Sequence, residues 1–544
     1  MKKEDNNINK KRVIVFFIFI ILSFLLLSFR LYYLQVLKGD EFTSKALNQR
    51  GKKIDLNPKR GIIFDKNLIP LTNNEKILTL IIPKDILKKP SVYDYIKTNT
   101  NLNSSELNEK LNSEDTLLKI PLKNNIDMSF LKENAFLVDV INRYNSDGLL
   151  SHVIGYINEL DNKGESGIEK VYDEFLKTYE KDSFIVEYDR KMQMVLGGTY
   201  NVNHNYNPYD PSGVKLTIDS NIQRDIERIM DENKINGGIV VTEVESGEVL
   251  ALASRPNFNP ERIEEYFNDK DMALYNKTIQ GKYPPGSIFK IVVLLAALEE
   301  NPSIIDKNFF CEGFEEINGL KINCNNIHGL LSLKDGFANS CNSTFMQIAK
   351  EIGAEKIIEM SKRLGFGSKI NIGLMEEVEG NLPETDELYG AAIGNIAIGQ
   401  GSLEVTPLQV ANLLTTVANG GINKKLTLVK GITNSEGKII KEYFKEDDKR
   451  LISYNDANIV KEMLIEVVKS GTGKSMDLKF LGGAGGKTGS SQATYNGEET
   501  VHGWFSGFYP ENNPKYVVTI LIENASRGSV DALPIFKEII KKLK

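Results

Sequence analysis

Three short motifs in a fixed order constrain this chain more than any other feature of its sequence. They are Ser287-Ile-Phe-Lys290, Ser340-Cys-Asn342 and Lys487-Thr-Gly489. A serine and a lysine three positions apart lie on one face of a helix, so an amine stands beside a hydroxyl that is otherwise a poor nucleophile. The second motif adds a hydroxyl and an amide, and the third adds a cation on a predicted strand. Together they predict a serine acyl-transfer site that uses lysine where other enzymes use histidine.

The spacing of single motifs recurs in the chain, so their order and surroundings matter. Ser129 to Lys132 and Ser435 to Lys438 repeat the first pattern, and Ser453 to Asn455 repeats the second, whereas Lys-Thr-Gly occurs once. Ser287 follows two prolines and a glycine and precedes the apolar run Ile291–Leu298. This context predicts an abrupt helix start and a buried helix, whose first turn favours negative charge. The alternative for Ser287 is an ordinary capping serine.

The N-terminal segment predicts a membrane anchor. Residues 13–29 are apolar apart from Ser23 and Ser28, which is close to the roughly 20 residues that span a bilayer. Five basic residues lie among the first twelve, so we expect a cytoplasmic N-terminus. A cleaved signal peptide is the alternative, but bulky residues follow Phe29 where small ones would mark a cleavage site. We therefore expect a single-pass protein of the cell membrane, extracytoplasmic after about residue 35.

Length and charge narrow the class further. A chain of 544 residues exceeds one ordinary core, so two or three domains are expected. The net charge is −6, and no basic stripe indicates a nucleic-acid partner. The stretch from Ser470 to Ser475 is similar to a phosphate-binding loop, but Val468 stands where the first glycine is required. We therefore expect no nucleotide.

Further stretches extend the likeness of the chain to one family. They are Arg60 to Asp65, Gly164 to Glu169, Asn276 to Lys290, Ala397 to Pro407 and His502 to Phe505. With the three motifs, they make nearly the whole chain resemble the class B penicillin-binding proteins, monofunctional D,D-transpeptidases of the bacterial cell wall. The resemblance implies an α+β penicillin-recognising serine-transferase fold, in which helices flank an antiparallel sheet beside an all-α part. An extended N-terminal pedestal domain and one transmembrane helix precede it.

The predicted domain organisation follows this resemblance. The segments are a cytoplasmic tail (1–12), a transmembrane signal anchor (13–35), a pedestal or dimerisation-like domain (36–200), a polar linker (201–213) and a transpeptidase domain (214–544). Glu245-Ser-Gly-Glu248 lies between two apolar runs and predicts a hairpin. Residues 487–494 and 501–508 predict a second hairpin around Asn496-Gly497. The first and last parts of the last domain should thus form one antiparallel sheet.

The resemblance also implies roles in the attack on substrate. Ser287 attacks the carbonyl of the penultimate D-alanine in a peptidoglycan stem peptide ending in D-Ala-D-Ala, and the terminal D-alanine leaves. Lys290 accepts the serine proton, and we expect burial and the nearby Lys487 to lower its pKa. Ser340 relays a proton to the leaving amine, and Asn342 holds the substrate amide.

The remaining roles concern binding. Lys487 and Thr488 are expected to bind the terminal carboxylate, and Gly489 lets substrate lie flat along the strand. The backbone N–H groups of Ser287 and Ser490 form the oxyanion hole. An amine of a neighbouring peptide then attacks the ester, whereas β-lactams mimic D-Ala-D-Ala and stall as acyl-enzymes.

The expected partners come from the same resemblance. The region before residue 215 lacks the length and acidic motifs of a glycosyltransferase domain. Glycan polymerisation is therefore expected from a membrane glycosyltransferase of the SEDS family, alongside other cell-wall synthesis proteins. The alternatives are a carboxypeptidase or β-lactamase, a β-lactam-sensing receptor and a catalytically silent cell-wall scaffold. The long pedestal and anchor argue against the hydrolase, and the single span argues against the receptor.

The cysteines form a separate cluster. All three, Cys311, Cys324 and Cys341, lie close together in the sequence with His328, one of four histidines. Three cysteines and a histidine make a complete tetrahedral zinc shell. We predict a structural zinc ion that pins the second motif through Cys341 and is not required for acyl transfer. The alternatives are a Cys311–Cys324 disulfide and plain burial of the thiols. Some class B relatives are similar, with a metal beside the S-x-N motif.

Overall fold

The computed structural model describes residues 2–39, 41–42, 45, 51–131, 135–158, 161–187, 212–443, 446–476, 478–495 and 498–544. The chain divides into two compact units. The first unit comprises residues 1–59, 76–141 and 179–206. The second comprises residues 60–75, 142–178 and 207–544. It is called the motif unit because it contains all three motifs.

Helices of the described residues are mostly short, apart from the N-terminal one. The α-helices are α1 (Lys2–Tyr32), α2 (Lys84–Leu87), α3 (Pro90–Asn99), α4 (Ser104–Asn112), α5 (Ser151–Ile154), α6 (Gly167–Val171), α7 (Asp173–Leu176), α8 (Ser220–Glu232), α9 (Lys290–Glu300), α10 (Leu333–Ala338), α11 (Asn342–Ile352), α12 (Ala354–Arg363), α13 (Ala392–Ala397), α14 (Pro407–Ala418), α15 (Tyr454–Lys469) and α16 (Ala532–Lys542).

Strands of the described residues range from short bridges to the long pair near the C-terminus. They are β1 (Gly51–Arg60), β2 (Ile62–Phe64), β3 (Glu75–Pro83), β4 (Leu117–Pro121), β5 (Phe136–Asn142), β6 (Ile157–Asn158), β7 (Lys163–Gly164), β8 (Lys177–Glu187), β9 (Gly213–Leu216), β10 (Gly237–Glu243), β11 (Val249–Arg255), β12 (Asn308–Cys311), β13 (Phe314–Ile317), β14 (Leu320–Asn323), β15 (Gly329–Ser332), β16 (Ile422–Asn423), β17 (Val429–Thr433), β18 (Ile439–Glu442), β19 (Lys449–Arg450), β20 (Gly485–Tyr495), β21 (Glu498–Tyr509) and β22 (Tyr516–Ile522).

A five-stranded antiparallel sheet lies at the centre of the motif unit. Its strand order is β11-β10-β22-β21-β20. Successive side chains of a strand point to opposite faces. Trp504, paired with Leu521, therefore packs into the core that contains α9, α11, α12, α14 and α15, whereas the next pair, Phe505 and Ile520, packs against α8 and α16. Helices thus cover both faces of the sheet.

Helix α9 lies inside the larger core because its sequence is apolar all round. Ile291 through Leu298 are all buried, which is typical of a helix surrounded by other elements. Lys290, the first residue of α9, is also completely buried. The helix therefore holds one amine at its N-terminal end inside the protein.

A second sheet draws distant segments into the motif unit. Its order is β18-β17-β9-β2, and β2 runs parallel to β9. Beside it, the buried Arg60 Nε donates to Glu169 Oε2 at 2.8 Å, and Arg143 Nε donates to Glu169 Oε1 at 2.7 Å. Each charge has an opposite partner, as buried charges require. Two of the stretches that carry the family resemblance meet in this network.

The domain boundaries predicted from sequence differ from this division. Residues 60–75 and 142–178 fall within the predicted pedestal, 36–200, yet they belong to the motif unit. The predicted boundaries stay a prediction. Residues 201–211 of the predicted linker lie outside the described residues.

The first unit has a small core of its own. A three-stranded sheet in the order β4-β3-β5 packs against α3 and α4. Leu80 and Ile82 of β3 meet Ile96 of α3 and Leu107 of α4 in this core. All four side chains are buried. The unit is thus an α+β layer built on alternating apolar strand residues.

One helix of the described residues is long and apolar enough to cross a membrane. It runs over the 28 residues from Lys10 to Leu37. Its most apolar stretch of 18 residues has a mean hydropathy of 2.8, and none of that stretch is buried. It comprises most of α1 and the π-helical turn Tyr33–Leu37 that follows. This is the segment predicted as the anchor.

The fold class predicted from sequence is confirmed. Helices flank an antiparallel sheet beside a helical part. The turn at Glu245–Glu248 joins β10 to β11 as predicted. Strands β20 and β21 pair from Gly485 opposite Phe508 to Tyr495 opposite Glu498. The Asn496-Gly497 turn predicted between them lies outside the described residues.

Candidate active site

The first motif lies at the predicted helix start. Residues Gly286–Phe289 form a 3-10 turn that leads directly into α9. Gly286 has a φ of +55°, a conformation that glycine adopts without strain. Ser287 is half-buried and lies one turn before the body of the helix. The turn is 3-10 rather than α-helical, as is common at helix ends.

The amine of Lys290 is held by the second motif. Its Nζ donates to Ser340 O at 2.7 Å, to Ser340 Oγ at 3.2 Å and to Asn342 Oδ1 at 2.7 Å. The same Nζ stands 5.6 Å from the centre of the Phe345 ring, within cation–π range. The S-x-x-K and S-x-N motifs thus form one hydrogen-bonded cluster.

Ser340 reaches Lys290 from a strained backbone. Its φ is +56°, which is uncommon for a residue other than glycine. The N–H of Ser340 donates to Phe337 O at 3.1 Å, and the N–H of Cys341 donates to Gly336 O at 2.8 Å. Such strain clusters at functional sites, where the surrounding structure holds it. Here it turns both oxygens of Ser340 toward one amine.

The third motif lies on the edge strand β20. Lys487 and Gly489 pair with Ser506 and Trp504 of β21. Lys487 is completely buried, and its Nζ stands 5.8 Å from the centre of the Phe337 ring. The strand therefore presents its amine to the segment that precedes Ser340.

Strand β20 and the serine turn approach each other closely. A Cβ atom added to Gly489 would stand 2.9 Å from Pro285 O, and one added to Gly286 would stand 2.7 Å from Ser490 O. No larger side chain fits at either position without movement of backbone. The two glycines thus bring the backbones of Ser287 and Ser490 side by side, as an oxyanion hole built from their N–H groups requires.

Burial changes the acidity of both lysines. Desolvation lowers the pKa of Lys290 to about 7, while Cys341 and Cys324 act in the opposite direction. Desolvation, followed by the charge of Lys290, lowers the pKa of Lys487 well below its usual value. The sequence predicts that burial and the nearby Lys487 lower the pKa of Lys290, and burial is the main cause in the structure. The repulsion between the two amines disfavours two simultaneous positive charges.

Three residues at the site were not predicted from sequence. Thr472 Oγ1 lies 2.8 Å from Thr488 Oγ1, and the N–H of Thr472 donates to Ala338 O at 3.1 Å. Gly399 O accepts from the N–H of Gly286 at 2.9 Å, and the N–H of Gly528 donates to Ser490 Oγ at 3.0 Å. Thr472 lies in the stretch that is similar to a phosphate-binding loop, and Gly399 lies in a stretch that carries the resemblance. These two stretches are the sequence features that could have pointed to Thr472 and Gly399.

The four predicted metal ligands come together beside the site. Cys311 ends β12, Cys324 follows β14, His328 precedes β15 and Cys341 caps α11. Their ligand atoms all lie within 4.8 Å of one another. Cys324 Sγ stands 3.8 Å from Cys341 Sγ and 3.6 Å from His328 Nδ1, and Cys311 Sγ stands 3.5 Å from His328 Nδ1. The three cysteines are free.

The donor set and spacing of this cluster fit a tetrahedral metal ion. Zinc–sulfur bonds of about 2.3 Å in a tetrahedron place sulfur atoms about 3.8 Å apart. The cluster also contacts the second motif, since the N–H of Asn342 donates to Cys324 Sγ at 3.3 Å and Asn342 Nδ2 donates to Asn323 O at 3.3 Å. The same asparagine accepts the hydrogen bond from Lys290. A displacement of Cys324 would therefore move Asn342 and, through it, the hydrogen-bond acceptor of Lys290.

A family model matches more than half of the chain. The penicillin binding protein transpeptidase domain matches residues 237–541. This range contains all three motifs and the whole five-stranded sheet.

Similar proteins extend the match to the full length. "Stage V sporulation protein D" of Bacillus subtilis is 29% identical, over 98% of this chain and 85% of its own length. "Peptidoglycan D,D-transpeptidase MrdA" of Haemophilus influenzae is 25% identical, over 99% of this chain and 92% of its own length. A solved structure described as "Structural coordination of polymerization and crosslinking by a peptidoglycan synthase complex" has the same fold, with a TM-score of 0.68 at 23% identity over 97% of both chains.

Proposed function

The chain is a class B penicillin-binding protein of the transpeptidase family, and from this premise we propose how its residues work. It is a peptidoglycan D,D-transpeptidase, a serine-type acyl transferase that cross-links stem peptides and is acylated by β-lactams. The comparisons give no support to a β-lactam-sensing receptor or a silent scaffold.

In the first half-reaction, Ser287 is the nucleophile. Its Oγ attacks the carbonyl carbon of the penultimate D-alanine, and Nζ of Lys290 accepts the Oγ proton. The N–H groups of Ser287 and Ser490 stabilise the oxyanion. The peptide C–N bond then breaks as Ser340 Oγ gives its proton to the leaving nitrogen and takes up the proton that Lys290 Nζ received from Ser287. Lys290 is then neutral again, and D-alanine departs. An ester on Ser287 remains.

The third motif binds the substrate. An arriving carboxylate favours the charged form of Lys487, whose pKa is otherwise lowered by burial. Thr488, oriented by Thr472, adds a hydroxyl, and Asn342 holds the substrate amide. Gly489 leaves room for the peptide along β20.

In the second half-reaction, the amine of a neighbouring stem peptide attacks the ester carbonyl. The new amide C–N bond forms, the ester C–O bond breaks, and one proton of the attacking amine passes through Ser340 and Lys290 to Ser287 Oγ. Acid–base catalysis by one neutral lysine serves both steps, because the second is the reverse of the first with a different amine.

One observation carries this proposal. The amine of Lys290 is completely buried, has a pKa of about 7 and donates hydrogen bonds to Ser340 and Asn342 of the second motif. A general base works best when its pKa is near the working pH. The test incubates the full-length protein in detergent with a peptide ending in D-Ala-D-Ala and an amine acceptor. We expect D-alanine and joined peptide in equal amounts. Release of D-alanine without joined peptide would indicate a carboxypeptidase. If neither D-alanine nor joined peptide forms, the proposal is contradicted.

A structural zinc ion completes the site in this proposal. Cys311, Cys324, His328 and Cys341 would hold it as four protein ligands, which leaves no open position for an activated water. It would fix the segment of Ser340 and Asn342, and no step of the acyl transfer runs through it. The spacing of the donor atoms and the contact from Asn342 to Cys324 support the assignment.

Location and partners follow from the N-terminal helix and the comparisons. The segment Lys10–Leu37 would anchor the chain in the cell membrane, with the pedestal, 36–200, and the transpeptidase domain, 214–544, outside the cytoplasm. A SEDS-family glycosyltransferase and other cell-wall synthesis proteins would be its partners. The similarity to a structure described as a peptidoglycan synthase complex supports this proposal.

A further inference from the structure

The segment that leads to the nucleophile is tied to the end of the central strand β22. Lys277, ten residues before Ser287, is almost completely buried, and its Nζ donates to Glu523 Oε2 at 2.6 Å. The same Nζ donates to Asn236 Oδ1. Glu523 follows β22 directly, and its N–H donates to Asn236 O at 2.8 Å. The carboxylate is therefore fixed to the sheet on one side and to the segment on the other.

Tyr283 occupies the other oxygen of the same carboxylate. Its Oη donates to Glu523 Oε1 at 2.6 Å. Burial and then the charge of Glu523 raise the pKa of Tyr283, so the phenol keeps its proton and serves as the donor. The backbone of Tyr283 pairs in both directions with Val405, at 3.0 and 2.8 Å. Glu523 thus contacts the segment before Ser287 at two points, Lys277 and Tyr283.

From Tyr283 the restraint passes to the serine turn through a rigid stretch of chain. The ring of Tyr283 packs edge-on against Trp504, with 6.2 Å between ring centres. Trp504 Nε1 donates to Pro284 O at 3.1 Å. Two prolines then fix the backbone as far as Gly286, whose Cα hydrogen faces Ser490 O in space too small for a methyl group. Tyr283 is thus linked through Trp504 and Pro284 to the turn in which Gly286 approaches Ser490 O.

We propose that Tyr283 and Glu523 are positioning residues that hold the N–H group of Ser287 in register with that of Ser490. The oxyanion needs both donors at hydrogen-bond distance, and misplacement of about 1 Å can cost roughly 100-fold in rate. The hydroxyl of Tyr283 never touches substrate in this arrangement. Its loss should slow the acylation step while leaving noncovalent binding intact. The inference rests on the proposed acyl transfer at Ser287.

The main variant is Tyr283→Phe, which deletes one oxygen and keeps the ring contacts. The matched control is Tyr275→Phe, which deletes a hydroxyl of the same segment that donates to Gln280 O at 2.6 Å instead of to Glu523. A third variant, Glu523→Gln, and the double variant Tyr283→Phe with Glu523→Gln complete a cycle. Each full-length protein reacts with a range of fluorescent penicillin concentrations. The time courses yield three quantities: the first-order acylation rate constant, the apparent dissociation constant and the labelled fraction.

We expect Tyr283→Phe to lower the acylation rate constant about tenfold, with the dissociation constant and labelled fraction close to wild type. Tyr275→Phe should match wild type. Both changes alter the hydrogen bond from Tyr283 to the Glu523 carboxylate, and Glu523→Gln also removes the ion pair with Lys277. The double variant should therefore be no slower than Glu523→Gln alone. A wild-type rate constant in Tyr283→Phe, or a loss confined to the labelled fraction, would overturn the inference. So would losses that multiply in the double variant. Absence of labelling in the wild-type protein would instead overturn the proposed function.

Discussion

The Nζ atom of Lys290 donates a hydrogen bond to Oδ1 of Asn342 at 2.7 Å, across 52 positions of sequence. Because Asn342 also donates its N–H to Cys324, one residue connects the amine of the first motif to the cysteine cluster. The hydrogen-bond acceptors of Lys290 are neutral oxygens of Ser340 and Asn342, and no carboxylate among them offsets the cost of burying a charged amine. This explains why the pKa of Lys290 is lowered to about 7.

The two motif lysines should respond differently to arginine. Lys290→Arg is expected to reduce β-lactam acylation by about 100-fold or more, because a guanidinium does not act as a base at neutral pH. Lys487→Arg should retain a measurable fraction, since a cation suffices to bind the carboxylate. Acylation rates of the two variants check this. Equal residual rates would refute the division of roles.

The acylation rate should rise with pH through about 7. Below that value Lys290 holds its proton and cannot accept another, so the rate should fall about tenfold per pH unit; above it the rate should level off. Asn342→Asp places a carboxylate beside Nζ and should raise the pKa of Lys290, shifting the midpoint upward. Asn339→Asp, at an exposed neighbouring position, serves as the control and should leave it in place. An unmoved midpoint in Asn342→Asp would remove Lys290 from the role of base.

Close approach of the serine turn to β20 should make Gly286 irreplaceable. Gly286→Ala introduces a methyl group 2.7 Å from Ser490 O at a φ of +55°, so acylation should drop by about 100-fold. Gly319→Ala is the matched control, because Gly319 has a φ of +79° with nothing within 4 Å. It imposes backbone strain without the contact. Similar acylation losses in both variants would mean that strain alone is responsible.

The cysteine cluster should carry zinc. Full-length protein purified without oxygen is expected to contain about one zinc ion per chain, and His328→Ala should lose it. Removal of the metal by a chelator should slow acylation without altering Ser287, because the segment of Ser340 and Asn342 loosens. If the protein contains less than about a tenth of an equivalent of zinc and one free thiol per chain, the cysteines form a disulfide instead of a zinc site.

Local patterns made much of the site predictable. Two prolines and a glycine before an apolar run set the start of α9, and the cysteine spacing pointed to one cluster. Contacts between distant segments were not predictable in the same way. The ion pair of Arg60 with Glu169 spans 109 positions, and it draws residues 60–75 into the motif unit. The strained backbone of Ser340 and the hydroxyl contact of Thr472 with Thr488 likewise depend on packing that no local pattern encodes. The sequence predicted burial of Lys290, but the complete burial of Lys487, which lowers the pKa of that lysine as well, is seen only in the structure.

The most direct test of the acyl transfer is to map the covalent adduct. Full-length protein is incubated with a β-lactam, and its intact mass and peptide masses are measured. One adduct per chain is expected, on the peptide that contains Ser287. Ser287→Ala should gain no mass, and Ser435→Ala, which changes the same pattern elsewhere, should be modified like wild type. An adduct retained in Ser287→Ala, or mapped to any other residue, would contradict the assignment of the nucleophile.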